Sequence, residues 1–397
     1  MEGDTHTGRW RTLALLALAE LLGMSLWFSA SAVTPQLRSI WNLTISEAAW
    51  LTTIVQLGFV CGTAIVAVLN LADIVPAGRL FTMSALLGAL ANAGMVVVPN
   101  YERALLLRFL TGFFLAGVYP PAMKMIATWF RSQRGLAIGT IVGALTVGKA
   151  TPYLVRAIPH VGLRPVILAA SAGALIAALL VAVGYRDGPY PFAARPFSWG
   201  QVRDVVRVRE WRLATASYLG HMFELYAFWT WIPAFLGASI VAHGEWRFRS
   251  GRLISLLAFA TIAVGGLGAV WGGLFADKRG RGRLVTISLF MSGSCCIISG
   301  FLFGGPIWVL GALAMTWGFF VIADSAQFST LVTESVPPHI VGTALTVQTS
   351  LGFLLTMLPM QIVPLIAQRA GWRWGFAVLA LGPLAGIVAI RRLRAHD

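Results

Sequence analysis

Apolar positions fall into long unbroken runs along the whole chain, with polar positions in short clusters between them. A helix needs roughly 20 apolar residues to cross a bilayer. Twelve runs reach that length, at about 11–33, 48–70, 80–98, 104–128, 135–158, 164–184, 212–241, 252–275, 284–303, 306–330, 341–367 and 373–391. They are too long for barrel strands, and backbone groups in lipid must be paired within their own segment, so each reads as a helix. One long polar stretch, RDGPYPFAARPFSWGQVRDVVRVREWR (186–212), is rich in Pro and Arg. It reads as a linker with room for a short helix along the membrane surface. The fold expected is an all-α integral membrane protein with twelve transmembrane helices. These form two pseudo-symmetric six-helix bundles, residues 1–185 and 212–397, joined by a cytoplasmic linker at 186–211.

Composition agrees. The 397 residues are 57% hydrophobic and 11% charged, with mean hydropathy +0.77; a soluble domain carries about 25% charged residues. The net charge of +15 does not indicate nucleic acid, because the basic residues sit mostly between apolar runs. Cys61, Cys295 and Cys296 lie in such runs without metal-ligand or disulfide spacing, and read as packing residues. No metal or cofactor is implied. The Ser29–Ala32 stretch is not read as a signal-peptide cleavage site, since the run before it is too long for an h-region and contains Glu20.

Lys and Arg set the orientation. With the amino terminus inside, eighteen basic residues fall in cytoplasmic segments, including Arg79, Arg195, Arg281 and Arg394. Eight fall outside, including Arg247 and Arg249. Both termini are therefore expected in the cytoplasm of a bacterial-type inner membrane. Arg108, Lys124, Lys149 and Arg156 remain within spans.

The halves repeat. AELLGMSLWF (19–28) aligns with FELYAFWTWI (223–232), matching Glu20 with Glu224 and Trp27 with Trp231 at an offset of 204. Asp73 and Asp277 keep that offset. Parallel repeats around a central site are an architecture of secondary transporters.

Charges inside a membrane are costly and persist where they pair, face water or function. Glu20 lies ~14 Å into the first span, at 1.5 Å per residue. Helical spacing puts Glu20, Met24, Trp27 and Ser31 on one stripe, His221, Glu224, Phe228 and Trp231 on another, and Lys149, Tyr153 and Arg156 on a third. Two readings stand for the carboxylates: a pair serving substrate or proton, or structural counter-ions of Lys149 or Arg108. Asp324 and Lys124 are placed nearer the cytoplasmic ends, in interhelical networks or snorkelling.

GLFADKRGR (273–281) resembles the signature loop of the major facilitator superfamily, with Gly273, Asp277, Gly280 and Arg281 at the motif positions. The corresponding LNLADIVPAGRL keeps Asp73 but has Leu69 for the first glycine, and its Gly78-Arg79 arrives two residues late. RFLTG (108–112) is similar to the family's R-x-x-x-G pattern. The resemblance implies latches at Asp73, Arg79, Gly273, Asp277 and Arg281, and a link between Arg108 and proton coupling. GVYPPAMKMIATWFRSQRGLAIG (117–139) looks like the anion-porter branches, which include nitrate/nitrite, cyanate and sialin-like carriers. The span 48–70 offers Gln56 but lacks the arginine of nitrate carriers, and the span 135–158 lacks the G-P-x-x-G-G of drug antiporters.

The function expected is proton-coupled symport of a small anionic solute by alternating access, with the proton gradient as energy source. Lys149, Tyr153, Arg156, Trp27, Trp231, Gln56 and Tyr119 are the candidate substrate residues; Glu20, Glu224, Arg108 and His221 are the candidates for coupling. The alternative is a proton antiporter in which the carboxylates hold a cationic or amphipathic solute. HExxH, Walker A and nucleophile-elbow motifs are absent, so an enzyme is not expected. The partners expected are a small-molecule substrate and the lipid bilayer, with no nucleic acid, and the chain is expected to be a monomer.

Overall fold

The computed structural model of the chain describes residues 2–190, 197–244 and 251–394, with side chains described except at residues 2–7, 72–73 and 394. Arg195, Arg247, Arg249 and the side chains of Asp73 and Arg394, named above, lie outside the described residues. Among the described residues regular structure is entirely helical. The helices that position the site are α1 (Glu2–Met24), α2 (Ile45–Val68), α3 (Ala77–Gly94), α4 (Tyr101–Leu115), α5 (Tyr119–Ala127), α6 (Arg134–Arg156) and α7 (Leu163–Gly184). After the linker come α8 (Trp199–Arg207), α9 (Arg209–Ala242), α10 (Gly251–Arg279), α11 (Arg281–Leu302), α12 (Ile307–Ala323), α13 (Ser325–Ser335), α14 (Val341–Ala370) and α15 (Leu381–Arg394).

Among the described residues, ten helical segments are long and apolar enough to cross a membrane, with α4–α5 and α12–α13 each counted as one. The expected spans 11–33 and 80–98 are helical but fall outside those ten. The first is broken after Met24, and its helix carries Arg9, Arg11 and Glu20. The second is an 18-residue helix containing Arg79 and Asn92.

The breaks have local causes. After Met24 the chain runs through tight turns, with Trp27 N–H donating to Met24 O at 3.1 Å. Serine hydroxyls compete for the helix carbonyls: Ser25 donates to Leu22 O at 2.6 Å and Ser29 to Leu26 O at 3.0 Å. The α4–α5 break precedes Pro120-Pro121. Proline lacks the donor an uninterrupted helix needs, but is accommodated in a first turn. Within the expected linker, α8 buries Val205 and leaves Trp199 71% exposed.

Two seams join the chain before the linker to the chain after it. Along α6 and α10, Gly139 and Gly143 approach Ala269 and Gly266 backbone closely, so a Cβ at either would sit 2.8 Å from a carbonyl oxygen. Along α2 and α14, contact is confined to one end. There Phe59 packs on Phe353 with centroids 4.5 Å apart, Gln361 donates to Thr53 at 3.0 Å, and Ser46 donates to Gln361 at 3.3 Å. At the other end the two helices part, and Thr63, Val66 and Ala67 face Gly342, Leu345 and Thr346 across a cavity of about 820 Å³.

Candidate functional site

The cavity is walled by α2, α5, α6, α13 and α14, and its mouth carries Lys124, Arg134, Asp277, Arg281 and Glu334. Arg281 pairs with Glu334 at 2.7 Å. The Asp277 carboxylate lies against Gly135 in the first turn of α6, where a Cβ would come within 2.5 Å of it. Gly273 meets the Gly135 carbonyl in the same way. The motif residues of this loop therefore reach two helix ends, Asp277 toward α6 and Arg281 toward α13. Arg79 does not face the later helices; it lines a separate groove between α3 and α7.

Beyond the inner end of the cavity lies a buried cluster around Lys149, which is 3% exposed. Its ammonium donates to the Tyr226 phenol at 2.6 Å. It also sits 4.3 Å from the ring centroid of Trp27, 4.8 Å from that of Tyr226 and 5.4 Å from that of Trp229. Desolvated cation–π contacts of this kind stabilise an ammonium. Among the described residues no carboxylate pairs with it. Glu20, fully buried, interacts electrostatically with Lys149, yet neither of its oxygens has a hydrogen-bond partner. Tyr119, adjacent to the cavity-lining Pro120, lies within the same electrostatic reach of Glu20. None of Glu20, Glu224 and Lys149 lines the cavity itself.

Close helix approach builds this cluster. Gly148 packs against the Leu21 carbonyl, where no Cβ would fit, and so draws α6 onto α1 beside Glu20. Trp27 then packs on Phe59 at 5.2 Å, Tyr226 at 5.5 Å and Phe353 at 5.8 Å.

Arg108 is fully buried and, among the described residues, has no acidic partner. Its guanidinium donates to Leu51 O at 3.2 Å, Leu26 O at 3.0 Å, Ser29 Oγ at 3.2 Å and Asn92 Oδ1 at 3.3 Å, and also to Trp27 O. Two of the carbonyls it binds, Leu26 and Trp27, lie in the break after α1, and the third, Leu51, is in α2. A planar five-donor group suits that task.

Glu224 does not join Glu20. Its carboxylate accepts from Ser292 at 2.8 Å, Cys296 at 3.2 Å and Trp317 at 2.5 Å, all on α11 and α12. The repeat therefore does not bring the two acids together: the groups bonded to Glu224 are on α11 and α12, and Glu20 lies beside Lys149 of α6. Tyr226 follows Glu224 by two residues, about 200° around a helix, so the two side chains leave α9 on opposite faces. His221 pairs with Asp324 at 3.0 Å, both 1% exposed, rather than with Glu224. Asp324 caps α12 at a helix break and is not snorkelling.

The other candidates disperse. Trp231 donates to Met360 O on α14 at 2.8 Å and packs near Trp372. Gln56 is buried opposite Met360 Sδ at 3.9 Å. The Tyr153 phenol is buried without a partner, beside Phe28. Arg156 donates to Val161 O at 3.2 Å. Tyr226 and Trp229 were missed because the α9 stripe was drawn through Glu224; their signal was an aromatic pair at i,i+3 on the opposite face.

A sequence profile of the Major Facilitator Superfamily matches residues 15–360. The chain is also similar to the niacin transporter NiaP of Acinetobacter baylyi, 24% identical over 342 residues, which cover 76% of this chain and 74% of that one.

Proposed function

The chain belongs to the major facilitator superfamily, and from that premise we propose that it is a proton-coupled carrier of a small anionic solute. It is a transport protein, not an enzyme. In this reading twelve spans form two halves, residues 1–185 and 212–397, linked by 186–211. Both termini lie in the cytoplasm, and a monomer works in the inner membrane by alternating access. The cavity then opens inward, and the α2–α14 contact closes the outer side.

The carrying observation is Lys149, a buried ammonium held by rings and a phenol instead of a carboxylate. A solute carboxylate entering this cluster replaces a neutral hydroxyl with a charged partner, a stronger bond for the same donor. The ring walls suit a planar solute. Niacin, named for the relative above, is a ring-bearing carboxylic acid. Glu20, whose oxygens have no hydrogen-bond partner among the described residues, interacts with Lys149 and takes up a proton as the anion arrives. Arg108 keeps α1 bent so that Trp27 meets the ammonium.

The test is uptake into proteoliposomes under an inside-alkaline pH gradient, with niacin, benzoate, nitrate, cyanate and a quaternary amine as solutes. Accumulation of a monocarboxylate that collapses with protonophore supports the reading. Accumulation of the amine alone, driven by the opposite gradient, replaces it with cation/proton antiport.

A further inference from the structure

A second site lies on the perimeter, away from the transport path. Between the start of α3 and the end of α7 is a groove of about 360 Å³, lined by Gly78, Arg79, Thr82, Met83, Val181 and Arg186 among others. The Tyr185 ring floors it, 3.1 Å from where a Gly78 Cβ would be. The Thr82 hydroxyl ties the two helices, donating to Gly78 O at 2.9 Å and Ala178 O at 3.4 Å. The backbone of Arg186 is fixed by the Trp129 indole, which donates to its carbonyl at 3.1 Å.

The charge in the groove is unbalanced. Arg79 and Arg186 are exposed, and among the described residues no carboxylate pairs with either. The acid in the described lining, Asp187, accepts from the Tyr185 phenol at 3.0 Å. Among the described lining residues two guanidiniums stand against one carboxylate, which leaves the groove cationic.

Above it the surface turns apolar on both helices. Met83 is 60% exposed and Leu90 58% on α3, and Leu179 is 63% exposed and Val183 79% on α7. In a chain of this kind such side chains meet lipid tails. The groove therefore sits where a span ends, with cations at its foot and an acyl-compatible stripe over it. Basic pockets between spanning helices at the membrane surface recognise lipid phosphates.

We propose that this groove holds an anionic phospholipid of the adjoining leaflet, its phosphodiester between Arg79 and Arg186 and its acyl chains along the Met83–Leu90 and Leu179–Val183 stripe. The site is independent of the transport reading.

Native mass spectrometry of the full chain, titrated separately with phosphatidylglycerol and with phosphatidylcholine of the same acyl chains, tests it. The unmodified chain should retain phosphatidylglycerol about fivefold better, the effect of one net charge at a membrane surface. Arg79→Gln/Arg186→Gln should lose that excess, and Arg79→Lys/Arg186→Lys should keep most of it. Equal retention by the unmodified and Gln chains overturns the proposal. Glycerol phosphate added at equal concentration should not displace the lipid; full displacement would show a soluble-phosphate site and also overturn it. If the Gln chain fails to fold, a photoreactive phosphatidylglycerol on the unmodified chain decides. Labels within 76–90 and 175–187 support the site, and labels confined elsewhere reject it.

Discussion

The Lys149 ammonium on α6 donates to the Tyr226 phenol on α9 at 2.6 Å, joining the chain before the linker to the chain after it. A hydrogen bond to a charged group contributes ~1.5–3 kcal/mol. Tyr226→Phe removes the acceptor and keeps the ring. It should loosen the closed end of the transport path, and thiol labelling of a Thr53→Cys reporter, in a chain without its native cysteines, should rise about tenfold. Unchanged labelling would show that the bond does not hold the seam.

Arg108 should be needed for folding more than for coupling. Arg108→Met removes at once the guanidinium's bonds to Leu26 O, Trp27 O, Leu51 O, Ser29 Oγ and Asn92 Oδ1, and a hydrogen bond to a charged group contributes ~1.5–3 kcal/mol. The expected result is a large fall in the thermal midpoint in detergent, with Arg108→Lys recovering only part, because an ammonium does not reproduce a planar fork. A midpoint within error of the unmodified chain would contradict this role.

Ten of the twelve expected spans were legible because an apolar run of bilayer length has few alternatives to a helix. The superfamily was legible because GLFADKRGR places Gly273, Asp277 and Arg281 at fixed spacing. Glu20, Lys149 and Arg108 were legible as costly charges. What could not be read was which way each faced. The repeat aligns Glu224 with Glu20, yet the donors that surround Glu224 come from α11 and α12. Helix-to-helix placement decides that, and no local pattern encodes it. The α1 break was hidden for the same reason: two of its carbonyls, Leu26 and Trp27, accept from Arg108, which arrives from α4.

The two acids should respond differently. Glu20→Gln, at a carboxylate with no hydrogen-bond partner, should abolish gradient-driven uptake and leave solute counterflow near the unmodified rate. Glu224→Gln places an amide donor among three donors, so it should lower the thermal midpoint and reduce both activities together. Paired uptake and counterflow assays separate the cases. Loss of coupling in Glu224→Gln alone would reverse the assignment.

The linker braces the cavity mouth. The Phe197 N–H donates to Asn70 Oδ1 at 3.2 Å and the Ser198 N–H to Thr343 Oγ1 at 3.0 Å, so one short segment bonds to the end of α2 and the start of α14. Asn70→Ala removes one of these bonds, worth ~1 kcal/mol. Labelling of a Thr346→Cys reporter on the cavity wall should fall about fivefold as the open state loses support. Constant labelling would leave the segment as a passive tether.

The central claim is that Lys149 recognises a solute carboxylate. Binding of a transported monocarboxylate to purified Lys149→Ala, followed by calorimetry beside the unmodified chain, tests it most directly. A charge-assisted bond of ~1.5–3 kcal/mol predicts affinity weakened by roughly 10- to 100-fold in protein still folded at the assay temperature. Affinity equal to that of the unmodified chain would contradict it.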